Sequence, residues 1–279
     1  MRFKDLFIIS LITFLVILFF LPIFFLLYDI IRNGLSVIFR YGPRFFIDLP
    51  PIPGNGLGGI GPALEGSLYM VALALLISGP ISIFSGIFLT FYERSRIAKI
   101  IRASLELIVE FPTIVVGIVV FSVFVVGFSI ANHTFNIGLN GISGAIALSI
   151  VMLPYSTIQI SESLRIPRRL YEEVGYSLGL STWQVMKLIV SASRRGIITG
   201  LLIGFAKIIG ETAPILLVTT STANLYLTSF TSPVTGVPVL IYNYAFSGYS
   251  NLNEVAWGAS FVLIMIVIII FIIVRSLVK

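Results

Sequence analysis

Runs without a charged side chain extend over residues 6–28, 66–92, 111–161, 212–253 and 255–274. A membrane-crossing helix needs roughly 20 apolar residues, so each run is long enough for one span or more. The first follows Arg2 and Lys4, as the core of a secretory signal would. It continues to Tyr28 without a small-residue cleavage site and reads as an uncleaved anchor. From Asp29 to Pro62, prolines at 43, 50, 51, 53 and 62 and glycines at 34, 42, 54, 56, 58, 59 and 61 interrupt helical periodicity. That stretch predicts an ordered loop outside the bilayer. A second span is predicted from about Glu65 to Tyr92.

The 111–161 run is too long for one helix and is weakly apolar at Asn132, Asn136, Gly138, Asn140 and Gly141, so it divides into spans three and four. A polar stretch, 162–195, precedes span five at about 196–220 and span six at about 255–274. The pattern predicts an all-α polytopic membrane protein of six transmembrane helices.

Composition agrees, with 57% hydrophobic against 11% charged residues and a mean hydropathy of +1.07. Too few charged side chains are present to cover a water-soluble particle of this size. Cysteine is absent and His133 is the lone histidine, which excludes disulfide scaffolds, thiolate metal sites and histidine zinc sites.

Charge placement adds orientation, because Lys and Arg are retained on the cytoplasmic side of short loops. Arg2, Lys4, Arg94, Arg96, Lys99, Arg102, Arg165, Arg168, Arg169, Lys187, Arg194, Arg195, Arg275 and Lys279 fall in alternate segments on one side; Arg32, Arg40 and Arg44 lie opposite. Both termini are therefore expected in the cytoplasm. The net charge of +6 reflects topology and gives nucleic-acid binding little support.

Segment 162–195 carries the punctuation of two short helices. Pro167 suits the first turn of one and Gly179 the position just past its end. Ser181 opens a second, with Gln184 completing a capping box. Leu170, Val174 and Leu178 on the first, and Trp183, Met186 and Val190 on the second, form apolar stripes. Such a pair suits docking onto a partner; the alternative is that it lies flat on lipid headgroups, aided by Arg168, Arg169, Arg194 and Arg195.

Here the residues resemble a known family. Glu173-Val174-Gly175, then Gly179, then Ile189 after nine residues is similar to the EAA loop of ABC importer permeases, with Val174-Gly175 in place of two alanines and Ser191-Ala192 in place of Leu-Pro. The stretches Met152–Gly179 and Arg194–Leu217 resemble the phosphate-import (Pst) permeases, and Gly210-Glu211-Thr212-Ala213-Pro214 resembles the signature of their PstA-type subunit. Gly58-Gly59-Ile60 and Pro112–Gly117 resemble further segments, so the likeness covers about 57–275 and leaves an anchor and outer loop over 1–56. The resemblance implies a type I ABC importer permease domain over 57–279, with its coupling loop at about 165–195.

It also implies a PstC-like second permease, two copies of a PstB-like cytoplasmic ATPase, an external phosphate-binding protein and a place in the cell membrane. Glu172 and Glu173 would face basic residues of the ATPase, Gly175 belongs to the matched motif, Gly179 would permit a tight reversal and Trp183 would anchor the interface. The bland readings are surface carboxylates, a helix stop and a membrane-facing indole. No cofactor is implied for this chain. A Gly-Lys dipeptide is absent throughout, so the nucleotide-cradling loop must belong to another chain.

Span five holds Lys207 and Glu211, and an ionisable group at bilayer depth costs at least ~2.5 kcal/mol. Their four-residue spacing predicts an ion pair on one helical face. Gly196, Gly200 and Gly204 make a small-residue seam beside it, with Lys207 about 60° and Glu211 about 20° from Gly204 around the axis. In a structural reading the pair fixes bundle register. In a functional reading Lys207 offers a positive point to a passing anion, Glu211 keeps that anion from being held too tightly, and Thr212 adds a donor. Pst permeases resemble the second reading, with a basic residue four before the Glu, usually Arg; Lys207 supplies a point charge instead of a fork. Pro214 is expected to break the helix locally.

His133 reads as a solvated loop residue, and Glu106 and Glu110 as the start of span three. The function expected is the permease subunit of an ATP-driven phosphate importer. Permeation of molybdate, tungstate or sulfate through the same architecture, an ion-gradient transporter, and an intramembrane enzyme remain the alternatives. The last lacks a carboxylate pair with a metal or nucleophile partner.

Overall fold

In the computed structural model, residues 3–130, 133–220 and 225–278 are described. Arg2, Asn132 and Lys279 lie outside them, as do the side chains of Lys4 and His133. Ten helices are assigned among the described residues: α1 (Phe3–Tyr41), α2 (Gly61–Phe91), α3 (Arg96–Glu110), α4 (Thr113–Val120), α5 (Gly141–Ser177), α6 (Thr182–Ala192), α7 (Arg194–Ile209), α8 (Ala213–Leu216), α9 (Val237–Ala245) and α10 (Ser250–Val278). A π-helical segment, Phe121–Val126, extends α4, and a short hairpin pairs β1 (Phe128–Ile130) with β2 (His133–Phe135). The fold is all-α. Four helices are long and apolar enough to cross a membrane, and two bent pairs, α3 with α4 and α6 with α7, raise the count to six.

Three of these form the core. Gly144 lies against Met70, the Ser78 hydroxyl donates to Met152 Sδ, and Gly86 lies against Ile160, so α2 and α5 run parallel. Against them α7 runs antiparallel along the predicted glycine seam: Gly196 meets Ser163, Gly200 meets Ile160, and Gly204 meets Ser156 and Met152. A Cβ at Gly200 would fall 2.6 Å from Ile160 Cγ1, and one at Gly204 would fall 2.9 Å from Met152 Cγ. Such backbone proximity suits a membrane interior, where packing rather than the hydrophobic effect holds helices together. Gly204→Leu is therefore expected to cost about 1–3 kcal/mol of overpacking, read as a lowered thermal midpoint of the detergent-solubilised protein; an unchanged midpoint would refute the seam.

Side chains cap two helix starts, of which the one at Ser181 is expected from the sequence and the one at Asn140 is not. The Asn140 side chain accepts from Ile142 N at 2.9 Å and Ser143 N at 3.0 Å. Ser181 and Gln184 form the expected capping box.

Elsewhere the structure corrects the sequence reading. Helix α1 does not stop at Tyr28 but continues to Tyr41, because Gly34 closes on Phe261 and the Trp257 carbonyl of α10 and Val37 is buried there. A 3-10 turn, Gly42–Phe46, follows directly, and irregular chain begins only at Ile47. Arg40 pairs with Glu254 at 2.8 Å, which makes α1 and α10 antiparallel. Pro167 does not open a separate helix; it lies inside α5, which runs unbroken through Pro154 and Pro167 to Ser177. A proline removes one helical hydrogen bond, but Ile160 and Leu164, fully buried in the turns just before Pro167, hold the helix in register. Glu106 and Glu110 do not begin a straight third span, since they belong to α3, whose axis is bent by 104° from that of α4 at Phe111-Pro112.

The predicted outer loop 221–254 also holds more structure than expected. Its α9 buries Val237, Val239 and Leu240, and the Val237 N–H donates to Ser67 Oγ of α2 at 2.7 Å. Tyr226 donates to the Ile47 carbonyl and ties this segment to the first loop. Burial first, then the Glu65 and Asp48 carboxylates, push its phenol above the usual value, so the hydroxyl remains a donor.

Candidate functional site

Helix α7 ends one residue before Gly210, and Glu211 and Thr212 lie in irregular chain before Pro214 fills the first turn of α8. The predicted break is present. It also changes the expected geometry, since Glu211 is not on a helical face with Lys207 but in the gap beyond it. The pair forms nonetheless, Lys207 Nζ to Glu211 Oε1. The other carboxylate oxygen accepts from Thr113 Oγ1 at 3.1 Å. The Lys207 ammonium also lies 5.5 Å from the centre of the Tyr155 ring, within the range at which an aromatic face attracts a cation.

Exposure is unequal. The Glu211 side chain is 10% exposed and that of Lys207 33%. The carboxylate is enclosed and twice engaged, while the ammonium keeps an open side. Thr212 and Gly210 border a cavity of about 260 Å³ between the break, Pro238 of α9 and Ser260 of α10. Its lining includes Thr212 but neither Lys207 nor Glu211; a partly compensated ammonium and, on the far side of the break, a threonine hydroxyl are donors suited to an anion in transit.

Two helix breaks meet here. Thr113, first residue of α4, contacts Glu211, and a Cβ on Gly117 would fall 2.8 Å from the Pro214 carbonyl oxygen. Sequence reasoning missed Thr113 and Tyr155 as partners of the pair. Their signal was indirect: both fall in the family-like stretches Pro112–Gly117 and Met152–Gly179, but contacts across 98 positions, as between Thr113 and Glu211, leave no local periodicity.

The second candidate site lies at the far end of α5. Gly179 has φ +78, a left-handed conformation that favours glycine, and accomplishes the reversal into α6. Gly175 lets α5 approach α6, because a Cβ there would lie 2.9 Å from Val185 Cγ2. Along the predicted stripe Trp183 is exposed and Val190 packs against the core, while Val185 and Ile189 are the residues that α6 buries. Trp183 is 72% exposed, together with Leu170, Val174 and Leu178 at 61%, 54% and 75%. These apolar side chains are uncovered among the described residues. Glu173 is exposed, whereas Glu172 accepts from Arg168 at 2.8 Å and is engaged within the chain.

Comparison with known proteins places these features in context. Residues 80–279 match the model of the binding-protein-dependent transport system inner membrane component family. A probable phosphate transport system permease protein PstA of Methanocaldococcus jannaschii is 35% identical over 98% of this chain and 92% of its own length. The phosphate transport system permease protein PstA of Haemophilus influenzae is 32% identical over 87% of this chain and 82% of its own. A PstA 1 protein of Mycobacterium tuberculosis is 26% identical over 88% of this chain and 78% of its own length. With a helical bundle of up to six spans, an ionic helix break and a glycine-reversed loop, the chain belongs to the binding-protein-dependent transport inner membrane components, and among them to the PstA-type permeases.

Proposed function

We propose that this chain is the permease half of an ATP-driven importer of inorganic phosphate. The observation that carries the reading is the Lys207 ammonium in the last turn of α7, its charge offset by an enclosed Glu211 in the α7–α8 break. Phosphate at neutral pH carries one to two negative charges and several acceptor oxygens, so ammonium and hydroxyl donors suit it. An uncompensated cation would hold the anion; a compensated one lets it leave. Lys207, Glu211, Thr212 and Pro214 form the pathway segment, and the names of the relatives support phosphate as cargo.

Glu173, Gly179 and Trp183 form the surface that docks into a separate ATPase, with Gly175 buried beneath it where α5 packs on α6 and Glu172 holding the base of the loop through Arg168. The complete importer has a PstC-like second permease, a PstB-like ATPase dimer and an external phosphate-binding protein. Residues 57–279 are the permease domain and 1–56 the anchor with its outer loop. The weight of basic residues on one side supports cytoplasmic termini.

The test is uptake of radiolabelled phosphate into proteoliposomes holding the chain with its co-purifying partners, with and without internal ATP. Uptake should require ATP and resist molybdate and sulfate. ATP-driven transport of another oxyanion alone would overturn the substrate, and uptake that survives loss of the ATPase would overturn the class.

A further inference from the structure

A second ionic cluster ties three helices together near the proposed ATPase-facing loop. From α5, Arg168 donates to the Thr90 carbonyl in the last turn of α2 and to Glu172 Oε2 at 2.8 Å. It also reaches Glu93 Oε1 at 3.4 Å, and its guanidinium carbon lies 5.6 Å from the centre of the Phe91 ring. From α3, Arg102 donates to Ser161 Oγ at 3.0 Å and to Glu162 Oε1 at 3.3 Å, both on α5. The two arginines meet through Thr90, a buried residue whose hydroxyl lies 3.1 Å from Ser161 Oγ. An unbroken chain of polar contacts therefore runs from Glu172 through Arg168, Thr90 and Ser161 to Arg102.

What lies beyond Arg102 gives the cluster a consequence. Helix α3 buries only Ala98 and Leu105, against Leu89 of α2 and Ile158 of α5, so Arg102 supplies much of its attachment. It ends at the sharp Phe111-Pro112 elbow, and the next residue, Thr113, donates to Glu211. The elbow thus has the cluster at one end and the Lys207–Glu211 pair at the other. Physical coupling requires such a contiguous route together with an element that can take two arrangements, and an elbow with a small apolar footprint meets that need.

We propose that Arg102 and Arg168 are positioning residues that tie the α3–α4 elbow to the ATPase-facing loop, so that displacement of the loop swings α3 and moves Thr113 relative to Glu211. Withdrawal of the Thr113 hydroxyl frees the second Glu211 oxygen for the Lys207 ammonium, and the better-neutralised cation releases its anion. The inference rests on the coupling and pathway roles proposed above.

The experiment uses the assembled complex in proteoliposomes and measures inorganic phosphate taken up per ATP hydrolysed. In Arg102→Gln and in Glu162→Gln, which removes the carboxylate partner of Arg102, the ATPase should co-purify as in wild type and hydrolysis should stay within about twofold. The phosphate-to-ATP ratio should fall at least tenfold. Thr113→Val should lower the ratio too, and Arg102→Gln combined with Thr113→Val should fall no further than Arg102→Gln alone, as expected for groups on one route. A wild-type ratio in Arg102→Gln, or multiplicative losses in the double variant, would overturn the proposal. Failure of both Arg102→Gln and Glu162→Gln to assemble would assign the cluster to folding and overturn it as well. Absence of ATP-driven phosphate uptake in the wild-type complex would remove the functional reading, and with it this inference, before any variant is compared.

Discussion

Trp183→Asp is expected to abolish ATP-driven uptake while leaving the chain inserted and folded. The indole is 72% exposed at the second residue of α6, and the residues that seat this helix are Val185 and Ile189. An aspartate in the first turn also interacts favourably with the helix dipole, so the local fold does not suffer. What is lost is an apolar anchor in the proposed ATPase contact, flanked by Leu170, Val174 and Leu178. Truncating an aromatic anchor at an interface centre typically costs 2 kcal/mol or more, about a thirtyfold loss of affinity, and a carboxylate in its place adds desolvation. The measurement is ATPase co-purification alongside uptake. Normal uptake in this variant would remove the basis for placing the coupling surface there.

Lys207→Gln is expected to lower uptake at least tenfold while ATPase docking persists, and Lys207→Arg to retain transport. The single variant leaves Glu211 charged, nearly enclosed and held by Thr113 alone, which costs stability in a low-dielectric setting. A second variant separates the two roles of the pair. Lys207→Gln combined with Glu211→Gln is neutral and removes that penalty. If the pair only sets bundle register, the neutral combination should transport; in the pathway reading it should assemble and still fail. Uptake near wild type in the double variant would restrict the pair to a structural role.

Much of this molecule was legible before any coordinates because it depends on local pattern. Spans follow from runs of apolar residues, the cap at Ser181 from side-chain chemistry next to a helix start, the reversal from Gly179, and the seam from glycines at 196, 200 and 204. The break at Gly210–Thr212 followed from Pro214. What escaped depends on tertiary contact. Composition alone ends α1 at Tyr28, and only the closeness of Gly34 to α10 explains its continuation. Pro167 reads as a start signal because that is its preference in water, yet burial of Ile160 and Leu164 carries α5 past it. Periodicity assigned α6 an apolar stripe at Trp183, Met186 and Val190, but that Val185 and Ile189 seat the helix is decided by packing, which spacing along the chain does not encode. Thr113 and Tyr155 converge on the ion pair from other helices, and no spacing along the chain encodes that.

The continuity of α5 through Pro154 and Pro167 has a thermodynamic corollary. At 37 residues and about 1.5 Å per residue, it is a rod of roughly 55 Å that carries both Tyr155, beside the ammonium, and Glu172, at the base of the docking surface. It is the fixed frame along which the α3–α4 elbow joins the two ends, and an equilibrium coupling between them has no preferred direction. Linkage then demands reciprocity: by whatever factor ATPase engagement alters the affinity of the ammonium for an anion, an anion resting there alters the affinity of the chain for its ATPase. The same helix that drives the cargo also reports its presence inward.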